Sequence, residues 1–203
     1  KMEDAKEALG INTRVELAKA NFIMQRRINE KFMLNGVAII DPATTFINFG
    51  TKIGADTVIY PFTVIERDVK IGKRCQVGPF AHLREAVQLK DDVTAGNFVE
   101  MVRASIGAKT LVKHFSYIGD SWVGDNVNIG AGTVTANFDG VKKNHTVIKE
   151  KVNIGSNTVI IAPVEIGKSA VTGAGSVITK NVPDNVIVAG VPARILRKRG
   201  GRG

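Results

Sequence analysis

A single cysteine, Cys75, rules out an intrachain disulfide and fits a reducing compartment. Aromatic residues are scarce, at 6% with one tryptophan, so a core built on large rings is excluded. There is no long uncharged apolar run to form a membrane-spanning helix, and the opening Lys1-Met2-Glu3-Asp4 is not a signal peptide. These absences predict a cytoplasmic protein with no membrane insertion, and the opening on Lys1 predicts a piece of a longer chain. Acidic residues are in the minority: 28 Lys and Arg against 19 Asp and Glu leave a net charge of +9. Arg194, Arg197, Lys198, Arg199 and Arg202 carry five of those charges. No aromatic residue is interleaved with them, which argues against a nucleic-acid partner. A solvated basic tail over residues 184–203 is expected, or a local positive field for an anionic small molecule.

Local patterns come next. Thr13-Arg14-Val15-Glu16 is a capping box, in which the threonine hydroxyl and the glutamate three residues on satisfy each other's free amides. Leu17, Ala20, Met24, Ile28 and Phe32 follow at helical spacing, and Asn35-Gly36 supplies a stop. One helix over residues 13–34 is predicted, within a segment 1–36 that ends a missing domain and links it onward.

From Ile47 the apolar period becomes six. Ile47, Ile53, Ile59, Ile65, Ile71, Val77, Leu83, Leu89, Ala95 and Met101 stand in register, each followed four residues later by a small or branched side chain. After two one-residue slips the beat resumes at Ile106 and Val123, and it returns at Ile154, Ile160 and Ile166, with Thr172 a polar exception. Six is the period of a hexapeptide β-helix, in which three hexads make one triangular coil and the aliphatic residue fills the interior. Glycine follows many of these positions, for example Gly54, Gly72 and Gly130, where it is expected to permit turn angles closed to other residues. The fold class is therefore an all-β solenoid over residues 37–183, preceded by one α-helix. The polar stretch 135–147 breaks the beat and is expected to protrude as a loop, a common location for function.

Three histidines, His82, His114 and His145, invite a zinc site of carbonic-anhydrase type. Their separations are not multiples of the coil length and no acidic co-ligands accompany them, so no metal is expected. His114 is the better candidate for a general base, since an imidazole can take a proton near physiological pH.

The stretches Gly78-Pro79-Phe80-Ala81-His82-Leu83-Arg84, Gly96-Asn97-Phe98-Val99-Glu100, His114-Phe115-Ser116-Tyr117-Ile118-Gly119-Asp120 and Asn126-Val127-Asn128-Ile129-Gly130-Ala131-Gly132-Thr133 are similar to one family. So are Asn137-Phe138-Asp139-Gly140 and Ile39-Ile40-Asp41-Pro42-Ala43-Thr44-Thr45. Together they resemble the bifunctional UDP-N-acetylglucosamine pyrophosphorylase/glucosamine-1-phosphate N-acetyltransferases, from about residue 10 to about residue 180. The resemblance implies a left-handed β-helix and a homotrimer with active sites between subunits. It also implies acetyl-CoA as cosubstrate and glucosamine 1-phosphate as acceptor, on the route to UDP-N-acetylglucosamine for peptidoglycan and lipopolysaccharide.

By the same resemblance His114 is the base that deprotonates the amine, and Glu100 stands close to the reaction, holding the imidazole or the sugar. Arg84 and Lys143 would bind the sugar phosphate, and Tyr117 and Asn128 the sugar. Ala131, Asn137, Phe138, Ser156 and Ala174 would line the acetyl-CoA side. The glycine-rich start of the family's nucleotidyltransferase domain is absent, so uridylyl transfer is not expected from these residues alone. Three features depart from the family. Val102 replaces a substrate-binding lysine, while strand alternation should turn the neighbouring Arg103 the other way. Phe138 replaces a tyrosine. The ending Ala189-Gly190-Val191-Pro192-Ala193-Arg194 resembles general hexapeptide acetyltransferases and offers no partner for the family's terminal CoA-binding arginine. The alternatives are a hexapeptide acetyltransferase with another acceptor and a non-catalytic scaffold.

Overall fold

The computed structural model describes residues 10–200. Helix α1 (Arg14–Leu34) begins at the capping box: Thr13 Oγ1 accepts the Glu16 amide at 3.1 Å and Glu16 Oε2 accepts the Thr13 amide at 2.8 Å. Only its second half reaches the solenoid. Ile28 and Phe32 pack against the core, whereas Leu17 and Met24 of the predicted stripe stay exposed. Asn29 is fully buried and donates Nδ2 to the carbonyls of Pro42 and Thr45, both at 3.0 Å, which fastens the helix to the first coil.

The rest is a parallel solenoid with three faces. On the first face Ala38–Ile39, Val58–Ile59, Gln76–Val77, Thr94–Asn97, Leu111–His114, Asn128–Ile129, Asn153–Ile154, Val171–Thr172 and Val186–Gly190 stack in order. The second face runs from Phe46–Ile47 to Val177–Ile178, and the third from Lys52–Ile53 to Val164–Ile166. The aliphatic member of each hexad points inward, and Ile59, Ile65, Leu83, Met101, Ile118, Ile154 and Ile160 are fully buried. Each contributes about 1.5–3 kcal/mol of hydrophobic stabilisation. Wall threonines such as Thr57 and Thr110 satisfy their hydroxyls on backbone carbonyls, of Gly72 at 2.9 Å and of Gly124 at 2.8 Å, whereas the buried Thr146 hydroxyl has no partner among the described residues.

The glycine expectation needs correcting. Apart from Gly78, the glycines that follow the aliphatic positions do not have left-handed φ; non-glycine residues do, at a six-residue interval through Asp56, Phe62, Asp68, Arg74, Phe80, Ala86, Asp92 and Phe98. The wall glycines are there because successive coils touch. A Cβ on Gly130 would lie 2.5 Å from the Ser156 amide nitrogen, and one on Gly96 would lie 2.1 Å from the Lys113 carbonyl oxygen.

The two register slips are one structural feature repeated. Strands Glu100–Ile106 and Tyr117–Val123 run continuously from the second face to the third, rounding the edge with one residue fewer than the coils below. Arg103 and Asp120 occupy that tightened edge at φ 45° and 47°. The turn breaks strand alternation: Val102 is buried outside the core cluster while Arg103 projects at the edge, so the expected opposite facing of these neighbours does not apply.

The protruding loop is shorter than 135–147. Thr135 lies in Val134–Ala136, and Thr146 and Val147 lie in Thr146–Ile148, both wall strands, because a small branched residue fits the buried wall position. The excursion covers residues 137–145. Nor is 184–203 simply a solvated tail. Val186–Gly190 extends the first face, and Ala193–Lys198 folds back on it antiparallel, giving a terminal hairpin. The apolar alternation of Val186, Val188 and Ile195 supplies its register. Residues 1–9 and Arg202 lie outside the described residues.

Candidate functional site

The residues picked out by sequence fall into two groups on either side of the edge between the first and second faces. On the first-face side stands His114, exposed at the end of Leu111–His114. Its Nδ1 lies 3.1 Å from Asn97 Oδ1, the residue paired with it one coil below. An amide oxygen accepts Nδ1–H, and that tautomer leaves Nε2 with a free lone pair. Asn97 is the orienting group that sequence reasoning missed. Its signal was its position 17 residues earlier, one tightened coil away. Glu100, expected to hold either the imidazole or the sugar, accepts a hydrogen bond from Arg84 Nη1 at 2.9 Å.

Above His114 the same column continues through Ala131, Ser156 and Ala174 on three successive coils, as the pairs Val112–Ile129, Ile129–Ile154 and Ile154–Thr172 require. Three of the five predicted cofactor-side residues therefore line up. Their neighbours Gly130, Gly155 and Gly173 form a parallel column without side chains. Asn128, exposed on the same face, donates Nδ2 to Asn153 Oδ1 at 3.0 Å.

The second-face group is contiguous. Glu100 pairs in register with Tyr117, and Tyr117 Oη lies 3.5 Å from Asn137 Nδ2. Asn137 is buried and donates to Asp120, which Arg103 grips through Nε at 2.6 Å and Nη2 at 2.9 Å. Arg103 Nη1 also reaches Glu85 at 2.8 Å, so Glu85, Arg103, Asp120 and Asn137 form a ladder up one edge. Hydrogen bonding to Arg103, helped by Asn137 and by the charges of Arg103 and Lys143, holds the Asp120 carboxyl below the usual range against the opposing effect of its burial. Asn137 thus roots the loop on the sugar-side group. Phe138 is exposed and bridges antiparallel to Lys143 across the loop. Asp139 tightens it, its carboxyl lowered to about 2 by the Lys142 amide, then by Asn144 and the Val141 amide.

Phe62, Phe80, Phe98 and Phe115 line the edge between the two groups. The first three stack with ring centroids 4.9 Å apart. Above Phe115 the ladder ends, since Gly132 follows it. The other two histidines stand elsewhere: His82 Nε2 meets Glu66 at 2.8 Å and His145 lies in the loop. Among the described residues no three His, Cys, Asp or Glu side chains gather to hold a metal ion. Among the described residues no helix is long and apolar enough to cross a membrane. A groove of about 920 Å³ between α1 and the first coils, walled by Phe22, Ile28, Phe46 and Phe49, contains none of the predicted site residues.

The family model for bacterial transferase hexapeptide (six repeats) matches residues 50–85 and 145–180. A bifunctional protein GlmU from Thermosipho africanus is 44% identical, covering 98% of this chain and 53% of that protein. One from Fervidobacterium nodosum is 42% identical, covering 97% and 51%. The chain spans about half the length of the curated relatives it matches. Among solved structures, LpxA from Acinetobacter baumannii superposes with a TM-score of 0.55 at 20% identity, over 78% of this chain and 73% of that one, a likeness of fold alone.

Proposed function

The chain belongs to the GlmU family, and from that premise we propose that it transfers the acetyl group of acetyl-CoA to the amine of glucosamine 1-phosphate. The observation that carries this reading is the exposed imidazole of His114, oriented by Asn97 at the foot of the Ala131, Ser156 and Ala174 column. The thioester lies beside His114 with the pantetheine arm along that column, where small side chains admit it. Nε2 takes a proton from the amine as its lone pair attacks the thioester carbonyl. A carbon–nitrogen bond forms, the carbon–sulfur bond breaks, and the imidazolium returns its proton to the departing thiolate. Positioning the two reactants supplies much of the acceleration.

Glu100 and Arg84 act as a pair, Arg84 offering its remaining guanidinium hydrogens to the sugar phosphate with Lys143. Tyr117 and Asn128 hydrogen-bond the sugar, and Asn137 and Phe138 flank the donor at the base of the loop. Because the base and the sugar-side residues occupy different faces, a second copy is needed to close a cleft over either group. This supports a homotrimer with shared sites. One observation favours a second reading, a different acceptor: Val102, next to Arg84 and Gly119 on the second face, is buried and apolar. Thiol release from acetyl-CoA decides between them. Turnover with glucosamine 1-phosphate and not with glucosamine supports the first reading. Turnover only with an unphosphorylated or unrelated acceptor moves the assignment to the second.

A further inference from the structure

Arg84 stands among three carboxylates. Glu100, one coil above, accepts its Nη1 at 2.9 Å. Glu85, next along the chain, has a carboxylate oxygen 4.0 Å from its Nε. Glu66 lies directly below, because the pairs Val64–His82 and Ile65–Leu83 bring position 66 opposite position 84, outside the second face. The hydrogen bond to Glu100, then the charges of Glu100, Glu85 and Glu66, raise the pKa of the guanidinium against the lowering effect of desolvation. Neighbouring coils are about 4.8 Å apart, so a glutamate and an arginine stacked in this way are placed for a two-point carboxylate–guanidinium pair. Glu66 instead turns diagonally across the face, where its Oε1 accepts a hydrogen bond from His82 Nε2 at 2.8 Å. Glu85 is drawn aside in the same manner by Arg103 Nη1 at 2.8 Å. Two of the three acids are therefore occupied elsewhere, and Arg84 keeps for an anion the hydrogens that Glu100 does not take. As a pair of half-exposed side chains, 42% and 32%, His82 and Glu66 add little to stability, and a purely stabilising pair would be indifferent to what Arg84 binds.

We infer that His82 is a positioning residue for the acceptor: it holds the Glu66 carboxylate off Arg84 and so keeps the guanidinium open to the sugar phosphate. This deepens the glucosamine 1-phosphate reading and rests on it. Without His82, Glu66 is released onto Arg84, where it competes with the phosphate and sets a negative charge beside it. Steady-state kinetics at saturating acetyl-CoA test this with wild type, His82→Ala, His82→Gln, Glu66→Gln and the double variant His82→Ala/Glu66→Gln. His82→Ala is expected to raise KM for glucosamine 1-phosphate about three- to tenfold, with kcat and the KM for acetyl-CoA unchanged. His82→Gln, which keeps an N–H donor for Glu66, should stay close to wild type. In the double variant a neutral amide at position 66 no longer competes as an anion, so KM should return to within about twofold of wild type. A merely structural pair would instead give losses that persist or add. Glu66→Gln alone should match wild type or show a lower KM, a readout that holds even if His82→Ala fails to fold, and thermal unfolding of each variant separates misfolding from the effect. An unchanged KM in His82→Ala, a raised KM that the double variant keeps, or a raised KM in Glu66→Gln would overturn the inference and leave the acceptor reading intact. Turnover by wild type only with some other acceptor would overturn both.

Discussion

Asp120 is the one buried carboxylate among the described residues, and Asp120→Asn removes its charge with little change of shape. The carboxylate is 6% exposed and receives two short bonds from Arg103 and one from Asn137. Hydrogen bonds to a charged group contribute about 1.5–3 kcal/mol, and breaking a fully buried pair costs about 3–5 kcal/mol. Arg103 is 30% exposed and keeps Glu85, which brings the expectation to about 2–3 kcal/mol. For a domain of this size that is a fall in Tm of about 4–12 °C, followed through the lone Trp122, two residues away and exposed on the third face. The loss has a pH signature. The folded carboxyl titrates below its unfolded value, so its contribution is complete above the unfolded pKa and disappears as pH falls through the folded one. The gap between wild type and variant should therefore close below about pH 4. Because Asn137 roots the loop through Asp120, the variant should also raise KM for the sugar phosphate more than it lowers kcat. A Tm within 1 °C of wild type at neutral pH, or a gap that widens in acid, would refute the reasoning.

Gly96→Ala places a methyl 2.1 Å from the Lys113 carbonyl oxygen, whereas Gly175→Ala meets nothing within 4 Å and bears only its φ of +70°. Chemical denaturation should give about 3 kcal/mol or more for the first and about 1–2 kcal/mol for the second; the reverse order would restore turn angle as the main reason for these glycines. Phe80→Ala breaks both stacks of the edge ladder and should cost about 1–3 kcal/mol, while Phe80→Tyr, whose ring can stack in the same way, should unfold like wild type.

The solenoid was legible because its interior is read six residues at a time. An inward position such as Ile59, Ile65 or Leu83 takes an apolar side chain and excludes a charged one, so the chemistry of the core is written into the sequence. The capping box of α1 was legible for the same reason, since Thr13 and Glu16 interact locally. Features set by neighbours a coil away were not. The use of glycine at Gly130 depends on the backbone at Ser156, and Asn97 acquires its role only when a 17-residue coil brings it beneath His114. The ladder of half-buried Glu85 and Arg103 with buried Asp120 and Asn137 reads in sequence as scattered polar residues, and strand alternation fails at Arg103 because a left-handed turn interrupts it. At the C-terminus the excess of positive charge hid a modest apolar alternation at Val186, Val188 and Ile195 that pairs as strands.

The proposed chemistry depends on the proton that Nε2 of residue 114 removes. Thiol release from acetyl-CoA with glucosamine 1-phosphate, measured at saturating donor for wild type and His114→Ala, addresses that step alone, because the ring is exposed and carries no packing load. Loss of a positioned base predicts a fall in kcat of about 10²–10⁴-fold with CoA affinity and oligomeric state unchanged. A variant that turns over within a few-fold of wild type would contradict the assignment of the base.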